Sequence, residues 1–455
     1  MAETNALLKR HTGNRIEGSN PSVSARRLAI VVMRLGALGL ALLALIAPLT
    51  SPAIAQATSV AALRQTPEMA LAQDAAEYAR QFGVTPAEAL RRLRALSDSV
   101  AATDRIAEAH RDRLAGVTIE HRPDLRIVVY LTGTEAVPDQ SIEAAGMTLP
   151  ITFRTGAKAT RDRLIWAMTW HQAAIRAALP MAPAMAPDPR TGELVIVVGS
   201  DTPPGGTDAL RAKLSLLSGV PVRLRFLDQV DVNLAAEGGS RVEGTSAVDG
   251  KRYLCTTGFT VSDGVRFGIA TAAHCLDELT YYDPQHSPSS LSFVGQWGWG
   301  YQDVQINAAE GPLAGVFYAD TAKSIDRPVT GQRTRSGTRT GDFVCHRGER
   351  SGYSCALVEL TDFAPAGDLC GGPCLPTWVT VSGPTCKGGD SGAPVFVGTV
   401  AMGIVKGATY RNGACVFYFY MSTDYLPRGW SLVLGPPSIP LGTVAGPPIG
   451  AREAP

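Results

Sequence analysis

The segment TCKGGDSGAP, from Thr385 to Pro394, holds a serine between glycines and directly after an acidic residue. An apolar run, Val395–Val397, follows it, which is typical of a tight turn that leads into a buried strand. Glycine lets the backbone approach a bound molecule closely and turns an N–H outward where a side chain would obstruct it. The pattern therefore predicts an accessible hydroxyl at Ser391, although most turns of this composition carry no chemistry.

A histidine farther upstream is a candidate base for this serine. The segment IATAAHC, residues 269–275, is an apolar, strand-like run that ends in His274 and a cysteine. A serine hydroxyl is a poor nucleophile at neutral pH and needs such a base to remove its proton. The two segments together predict nucleophilic catalysis by Ser391 with the help of His274.

Taken in this order, TAAHC and GDSGAP resemble the chymotrypsin-like serine endopeptidases, above all the secreted bacterial branch of alpha-lytic protease and the streptogrisins. The resemblance extends over residues 238–430 and more loosely over the region before them. It implies an all-β double β-barrel protease domain that hydrolyses peptide bonds, preceded by an α+β pro-region. Short apolar runs broken by glycine in this part of the chain also favour a sandwich or barrel.

A triad of this kind needs an acid that orients the histidine and stabilises its charged form. We predict Asp303, because within the segment YQDVQI, residues 301–306, it opens an alternating strand and lies between His274 and Ser391 along the chain. Its spacing from both residues resembles that of the bacterial branch. The sequence also leaves three rival acids: Asp283, Asp320 and Asp326.

The resemblance also implies which groups bind the substrate. The backbone N–H groups of Gly389 and Ser391 would form the oxyanion hole. The segment GIVKG, residues 403–407, would line the primary pocket, with Lys406 and Gly407 as substrate-binding residues. A small residue is usual in the family where Lys406 stands, so this lysine either favours an acidic substrate side chain or reaches solvent. The mechanism requires no cofactor and no metal.

The acid in the serine turn, Asp390, is expected to be buried and therefore to need a partner. In the bacterial branch an arginine just after the first cysteine of a short disulfide loop has this role. Here Cys345 is followed by His346 and then by Arg347, which shifts the arginine by one position. We predict that Arg347 pairs with Asp390.

Eight cysteines lie between Cys255 and Cys415, and the residues before them contain none. An even number in an exported chain favours disulfides over free thiols, and zinc is disfavoured because the chain has no Cys-x-x-Cys pair. The sequence alone leaves the pairing open. The resemblance implies three bridges and leaves Cys370 and Cys374 unassigned: Cys255–Cys275, Cys345–Cys355 and Cys386–Cys415.

The chain begins with a basic, polar segment and an apolar run, Leu35–Leu49, which is short for a membrane span but suits a signal peptide. We predict cleavage after Ala55 or Ala57, so that residues 1–57 are the signal peptide. The alternative is an uncleaved anchor that extends back to Leu28. Either interpretation exports the rest of the chain, and cleavage would leave a secreted, extracellular protein without stable membrane association.

Residues 58–235 form the predicted α+β region. Two Thr-Pro pairs, at Thr66 and Thr85, are typical of helix starts, and apolar strand candidates follow. Its place between signal and protease domain resembles the pro-regions of the alpha-lytic group, which aid folding and inhibit the enzyme; an independent binding domain is the alternative. A glycine-rich linker and processing site is predicted at 234–250, across the boundary between this region and the protease domain at 236–434. The Pro/Gly-rich tail, 435–455, is expected to be disordered.

The net charge of +1 gives no indication of a nucleic acid or an anionic surface as partner. The sequence therefore predicts a secreted serine endopeptidase, made as a pro-enzyme (zymogen), that acts on proteins or peptides and has its own pro-region as a partner. Two alternatives share the fold: a catalytically inactive protease-fold binding module, and an esterase with the same triad.

Overall fold

The computed structural model describes residues 62–199, 206–227, 232–233, 239–284, 286–308, 313–367, 369–383 and 385–435. The predicted signal peptide and residues 436–455 of the predicted tail lie outside this part of the chain. Within it, none of the helices combines the length and the apolar character that a membrane crossing requires.

Five α-helices lie among the described residues of the N-terminal region, and the starts of two follow from the sequence. Thr66 and Thr85 are N-caps whose hydroxyls accept the N–H groups of Met69 and Glu88, both at 3.2 Å, and proline occupies the next position in each case. The helices are α1 (Pro67–Phe82), α2 (Pro86–Asp98), α3 (Val100–Ala109), α4 (Arg161–Ala177) and α5 (Gly206–Ser218).

Eight strands accompany these helices: β1 (Leu63–Arg64), β2 (Leu114–Glu120), β3 (Arg126–Thr132), β4 (Gln140–Ala144), β5 (Met147–Ala157), β6 (Ala184–Asp188), β7 (Glu193–Gly199) and β8 (Val222–Leu227). One sheet has the order β2-β3-β5-β4 and another the order β6-β7-β8. Helices α4 and α5 bury apolar side chains against β7, as Leu164 and Leu214 do against Ile196. The described residues before 228 thus form a mixed α and β structure.

The remainder of the described chain is almost entirely strand, with a single short 3₁₀ turn at Thr423–Tyr425. The strands are β9 (Val232–Asn233), β10 (Arg241–Thr245), β11 (Arg252–Thr256), β12 (Thr260–Ser262), β13 (Phe267–Thr271), β14 (Leu279–Asp283), β15 (His286–Trp297), β16 (Val304–Ala308), β17 (Val316–Tyr318), β18 (Ile325–Pro328), β19 (Gly331–Gln332), β20 (Phe343–Gly348), β21 (Gly352–Phe363), β22 (Trp378–Ser382), β23 (Pro394–Val397), β24 (Val400–Arg411), β25 (Ala414–Ser422) and β26 (Ser431–Leu432).

Two large sheets are built from these strands. The first has the order β11-β10-β14-β15-β16-β13-β12-β26. The second runs β24-β23-β20-β21-β22-β25, and β25 pairs with β24 again, so this sheet closes into a barrel. Strands β9 and β19 also pair with β24, and β1 joins β17 and β18 in a small third sheet. The fold is therefore mostly β with one closed barrel.

Helix α1 packs into the same apolar core as the strands of the barrel. Tyr78 of α1 lies in one buried cluster with Phe343 and Phe396. Next to this cluster, the Asp74 carboxylate accepts hydrogen bonds from Arg327 Nη1 at 2.9 Å and from the Tyr353 hydroxyl at 2.6 Å. The side chains of both Asp74 and Arg327 are 0% exposed. The N-terminal helices and the barrel therefore share a core and a buried ion pair.

We expect Asp74→Ala to lower the free energy of unfolding of the full chain by about 3–5 kcal/mol, because it leaves the Arg327 guanidinium buried without its carboxylate. The matched control is Arg64→Ala, which breaks the Arg64–Asp326 pair, where Arg64 is 43% exposed. That change should cost less than about 1 kcal/mol. Urea denaturation in a Ser391→Ala background measures both. Equal losses for the two variants would contradict the assignment of Asp74 to a buried pair.

Candidate active site

The strand register brings His274 and Asp303 to the same edge of the first sheet. His274 follows the end of β13, and Asp303 immediately precedes β16. These strands are antiparallel neighbours in which Thr271 lies opposite Gln305. In an antiparallel pair, the end of one strand lies beside the start of the other. The two side chains are therefore close to each other at this edge of the sheet.

The serine lies in a turn that requires glycine. The Asp390 N–H donates to the Lys387 carbonyl oxygen at 3.1 Å, and the Ser391 carbonyl oxygen accepts the Thr256 N–H at 2.7 Å. Gly392 has a φ of +89°, and a Cβ at this position would collide with the Thr256 carbonyl oxygen. Glycine after the serine therefore allows the turn to lie directly against the end of β11.

These elements bring His274, Asp303 and Ser391 into one hydrogen-bonded relay. His274 Nδ1 lies 2.9 Å from Asp303 Oδ2, and His274 Nε2 lies 2.7 Å from Ser391 Oγ. Burial raises the pKa of the Asp303 carboxyl, but His274 and Lys406 lower it by more, so that this pKa lies below its ordinary value. An anionic Asp303 holds the Nδ1–H of the imidazole and leaves Nε2 to accept the serine proton.

The three rival acids make other contacts. Asp283 accepts hydrogen bonds from the hydroxyls of Tyr281 and Tyr318, each at 2.8 Å. Asp320 accepts the backbone N–H groups of residues 324 and 325, and Asp326 forms an exposed pair with Arg64. Of the four candidate acids, Asp303 is the one that the structure places against His274.

The two backbone donors of the predicted oxyanion hole are at the turn. Among the described residues, neither the Gly389 N–H nor the Ser391 N–H donates to a protein acceptor. The Gly389 carbonyl oxygen accepts the Thr256 hydroxyl at 2.9 Å, which fixes the orientation of the next peptide group. Their contact with a developing negative charge at the serine remains a prediction.

No family model matches the chain. Streptogrisin-C of Streptomyces griseus is 24% identical over 191 residues, which are 40% of this chain and 38% of the relative. The chain therefore spans well under half the length of the curated relative that it matches. It is similar to the chymotrypsin-like serine proteases of bacteria. Two solved structures of such enzymes are also similar to it at low scores.

Protease A of Thermobifida fusca has 22% sequence identity and a TM-score of 0.35, and the match covers 44% of this chain and 98% of that one. The Nocardiopsis protease has 19% identity and a TM-score of 0.34, with the same coverage of both chains.

Asp390, in the serine turn of this protease-like chain, has different partners from those the sequence predicts. Its buried carboxylate accepts the backbone N–H groups of Lys387 at 2.8 Å and of Arg350 and Ser351, both at 3.2 Å. The predicted pairing of Asp390 with Arg347 is therefore wrong. The physical reason is that three backbone donors already surround the carboxylate: two come from the loop between β20 and β21, and the third, Lys387, comes from the serine turn itself.

Arg347 binds a different set of groups. Its Nη1 donates to Glu349 Oε2 at 2.6 Å, and its other nitrogens donate to the carbonyl oxygens of Asp320 and Thr321. The sequence contained one signal for the loop geometry, which is Gly348: a Cβ there would collide with the Asp390 carboxylate. The glycine thus permits the close approach that the backbone hydrogen bonds require.

Lys406 points inward rather than to solvent. Its side chain is 1% exposed, and Nζ lies 3.3 Å from Asp303 Oδ2 and 5.2 Å from the centroid of the Trp378 ring. Of the two alternatives for this lysine, the one in which it reaches solvent is therefore wrong. Its backbone carbonyl oxygen accepts a long hydrogen bond of 3.4 Å from the Ser391 hydroxyl. Neither the ion pair nor the contact with Trp378 was foreseen from the sequence.

Gly407, the second predicted pocket residue, lies in β24 of this protease-like fold. Its backbone is opposite Phe419 of β25 and, on the other side, opposite Asn233 of β9. The strand predicted to bind substrate is thus paired with a segment of the chain itself. Contact of Lys406 or Gly407 with a substrate remains a prediction.

All eight cysteines form disulfides. Three pairs are those that the resemblance implies: Cys255–Cys275, Cys345–Cys355 and Cys386–Cys415. The fourth joins Cys370 to Cys374. Two of the bridges lie at the candidate site, because Cys275 follows His274 and Cys386 begins the serine turn.

Proposed function

We propose that this chain is a serine endopeptidase that hydrolyses peptide bonds through an acyl-enzyme on Ser391. The observation that carries the proposal is the relay from Asp303 through His274 to the serine hydroxyl, with distances of 2.9 Å and 2.7 Å. This geometry meets the requirement that a nucleophile contact a base and that the base be oriented by a third group.

In the proposed mechanism, His274 Nε2 takes the proton from Ser391 as Oγ attacks the peptide carbonyl carbon. The imidazolium then gives this proton to the leaving amine, and a water molecule repeats the cycle on the acyl-enzyme. Asp303 holds the imidazole by its Nδ1–H and stabilises its charged form. The reaction needs no cofactor.

The negative charge of the tetrahedral intermediate would be stabilised by the N–H groups of Gly389 and Ser391. A single donor of this kind contributes about 3 kcal/mol to transition-state stabilisation. The hydrogen bond from the Thr256 hydroxyl to the Gly389 carbonyl oxygen holds the peptide group that lies between the peptide groups of these two donors.

We further propose that the enzyme is exported as a zymogen and that residues 58–235 are its pro-region. Strand β9 supports this, because it pairs antiparallel with β24 at Gly407 and Ala408, next to the serine turn. Addition of an extended peptide to the edge of a strand is a common mode of peptide recognition. In the uncleaved chain, β9 would then occupy the place of a substrate. The two large sheets would be the two barrels of the protease domain.

Production of the full chain in a secreting host tests this function. We expect an extracellular product whose new N terminus lies before Ser240, since the Ser240 N–H already bonds to Thr257 in the first sheet. The predicted linker 234–250 must be cut upstream of β10, which lies inside it. The product should cleave a peptide library. Hydrolysis of esters alone would indicate an esterase, and no hydrolysis would indicate a binding module.

A further inference from the structure

Lys406 is a buried charged residue that the proposed mechanism does not use. Its Nζ lies 3.3 Å from Asp303 Oδ2, and the same oxygen lies 2.9 Å from His274 Nδ1. Asp303 and Lys406 are 2% and 1% exposed, so solvent does not screen the interaction between their charges. One carboxylate oxygen therefore faces both the catalytic imidazole and an ammonium group.

A buried ammonium must be stabilised by its surroundings. The Lys406 Nζ and Asp303 Oδ2 are at ion-pair distance, 3.3 Å apart. The face of the Trp378 ring, 5.2 Å away, adds a cation–π interaction. Burial lowers the pKa of the Lys406 ammonium, and Asp303 opposes this by favouring the charged form.

Among the described residues, the side chains around the pair formed by Asp303 and Lys406 come from four elements. Of the described residues, the charged or titratable ones that face its carboxylate are His274, from the turn after β13, and Lys406, from β24. The other two neighbouring residues are uncharged: Met421 of β25, whose sulfur accepts the Asp303 N–H, and Trp378 of β22, which lies against Lys406. Among the described residues, the charged groups that face this carboxylate are therefore the imidazole and the Lys406 ammonium.

We propose that Lys406 is a positioning residue that balances the charge of Asp303 and so keeps His274 neutral, and able to accept the serine proton, to lower pH. The inference rests on the proposed function for its catalytic meaning. A carboxylate stabilises an adjacent imidazolium, whereas an ammonium on the same oxygen repels it. Removal of the lysine charge leaves the carboxylate uncompensated, which must favour the protonated imidazole.

The test is an NMR titration of the His274 imidazole nitrogens in a Ser391→Ala background, which needs no activity. In Lys406→Met, we expect the pKa of His274 to rise by about one pH unit or more. In Lys406→Arg, which keeps the positive charge, the titration of His274 should stay close to that of the parent. Lys323→Met is the matched control, because it removes another buried lysine, one paired with Glu349 at 2.6 Å, and should leave the pKa of His274 unchanged.

In the active enzyme, we expect the acid limb of the pH profile of kcat/KM for a peptide to move to higher pH by the same amount in Lys406→Met. Should this variant not fold, Lys406→Gln gives the same readout with a neutral side chain of similar length. An unchanged or lowered pKa of His274 in a folded neutral variant would overturn the proposal and make Lys406 a packing residue. A parent enzyme that hydrolyses nothing would instead overturn the proposed function, while the titration would still decide the role of Lys406.

Discussion

Replacement of Ser391 by alanine is expected to lower kcat for peptide hydrolysis by about 10⁶-fold, because the nucleophile is lost and only substrate binding and the oxyanion donors remain. His274, 2.7 Å from the serine oxygen in the parent, then has no hydroxyl to activate. Initial rates on one peptide substrate measure the effect. The Ser391→Ala variant is not expected to process itself. A cleavage site for an added protease is therefore inserted in the linker of the parent and of the variant, so that both have the same N terminus.

The matched control is Ser382→Ala, which removes an exposed hydroxyl that bonds to Glu359 at 2.9 Å. This variant should retain the parent rate within about twofold, as surface changes usually do. Activity above a hundredth of the parent in Ser391→Ala would mean that another group is the nucleophile.

Asp303→Asn is expected to lower kcat by about 10⁴-fold. An amide NH₂ directed at His274 Nδ1 would favour the wrong tautomer, in which Nε2 carries the proton and cannot accept another from Ser391. The same change leaves the Lys406 ammonium buried without its carboxylate, so the free energy of unfolding should also fall, by about 3–5 kcal/mol. Rates measured well below the unfolding transition separate the two effects.

Asp283→Asn is the comparison for this variant, because Asp283 was a rival for the same role and instead binds two tyrosine hydroxyls. We expect its kcat to stay within about tenfold of the parent. A larger loss in Asp283→Asn than in Asp303→Asn would assign the orienting acid to Asp283.

The sequence identifies the side chains that the structure brings together at the candidate site, where a hydrogen bond depends on a particular residue type. His274 and Ser391 stand in short, specific segments, and Asp303 could be chosen because it opens an alternating strand between them. The partner of Asp390 could not be predicted, because it is a set of backbone N–H groups, which every residue but proline carries. The prediction of Arg347 failed for this reason.

The direction of Lys406 depends on a detail of strand geometry that the sequence does not show. The register between β24 and β25 shifts between Val405 and Gly407, so Lys406 is the extra residue of a β-bulge. A bulge redirects a side chain relative to simple alternation. The lysine therefore turns towards Asp303, whereas the motif alone suggested the substrate pocket or solvent.

The packing of the N-terminal region against the barrel was also beyond the sequence. Asp74 lies on a helix with ordinary surface-like composition, and Arg327 lies in a short strand far along the chain. Neither position carries a local signal that the two side chains are buried against each other. Long-range pairing of this kind depends on the assembled core rather than on local pattern.

The central claim is that Ser391 is activated by His274, and reaction with a fluorophosphonate probe tests it most directly. We expect one adduct on the processed protein, located by mass spectrometry at Ser391, and strongly slowed labelling in His274→Ala. A processed protein that is never labelled, or that is labelled equally after Ser391→Ala, would contradict the account.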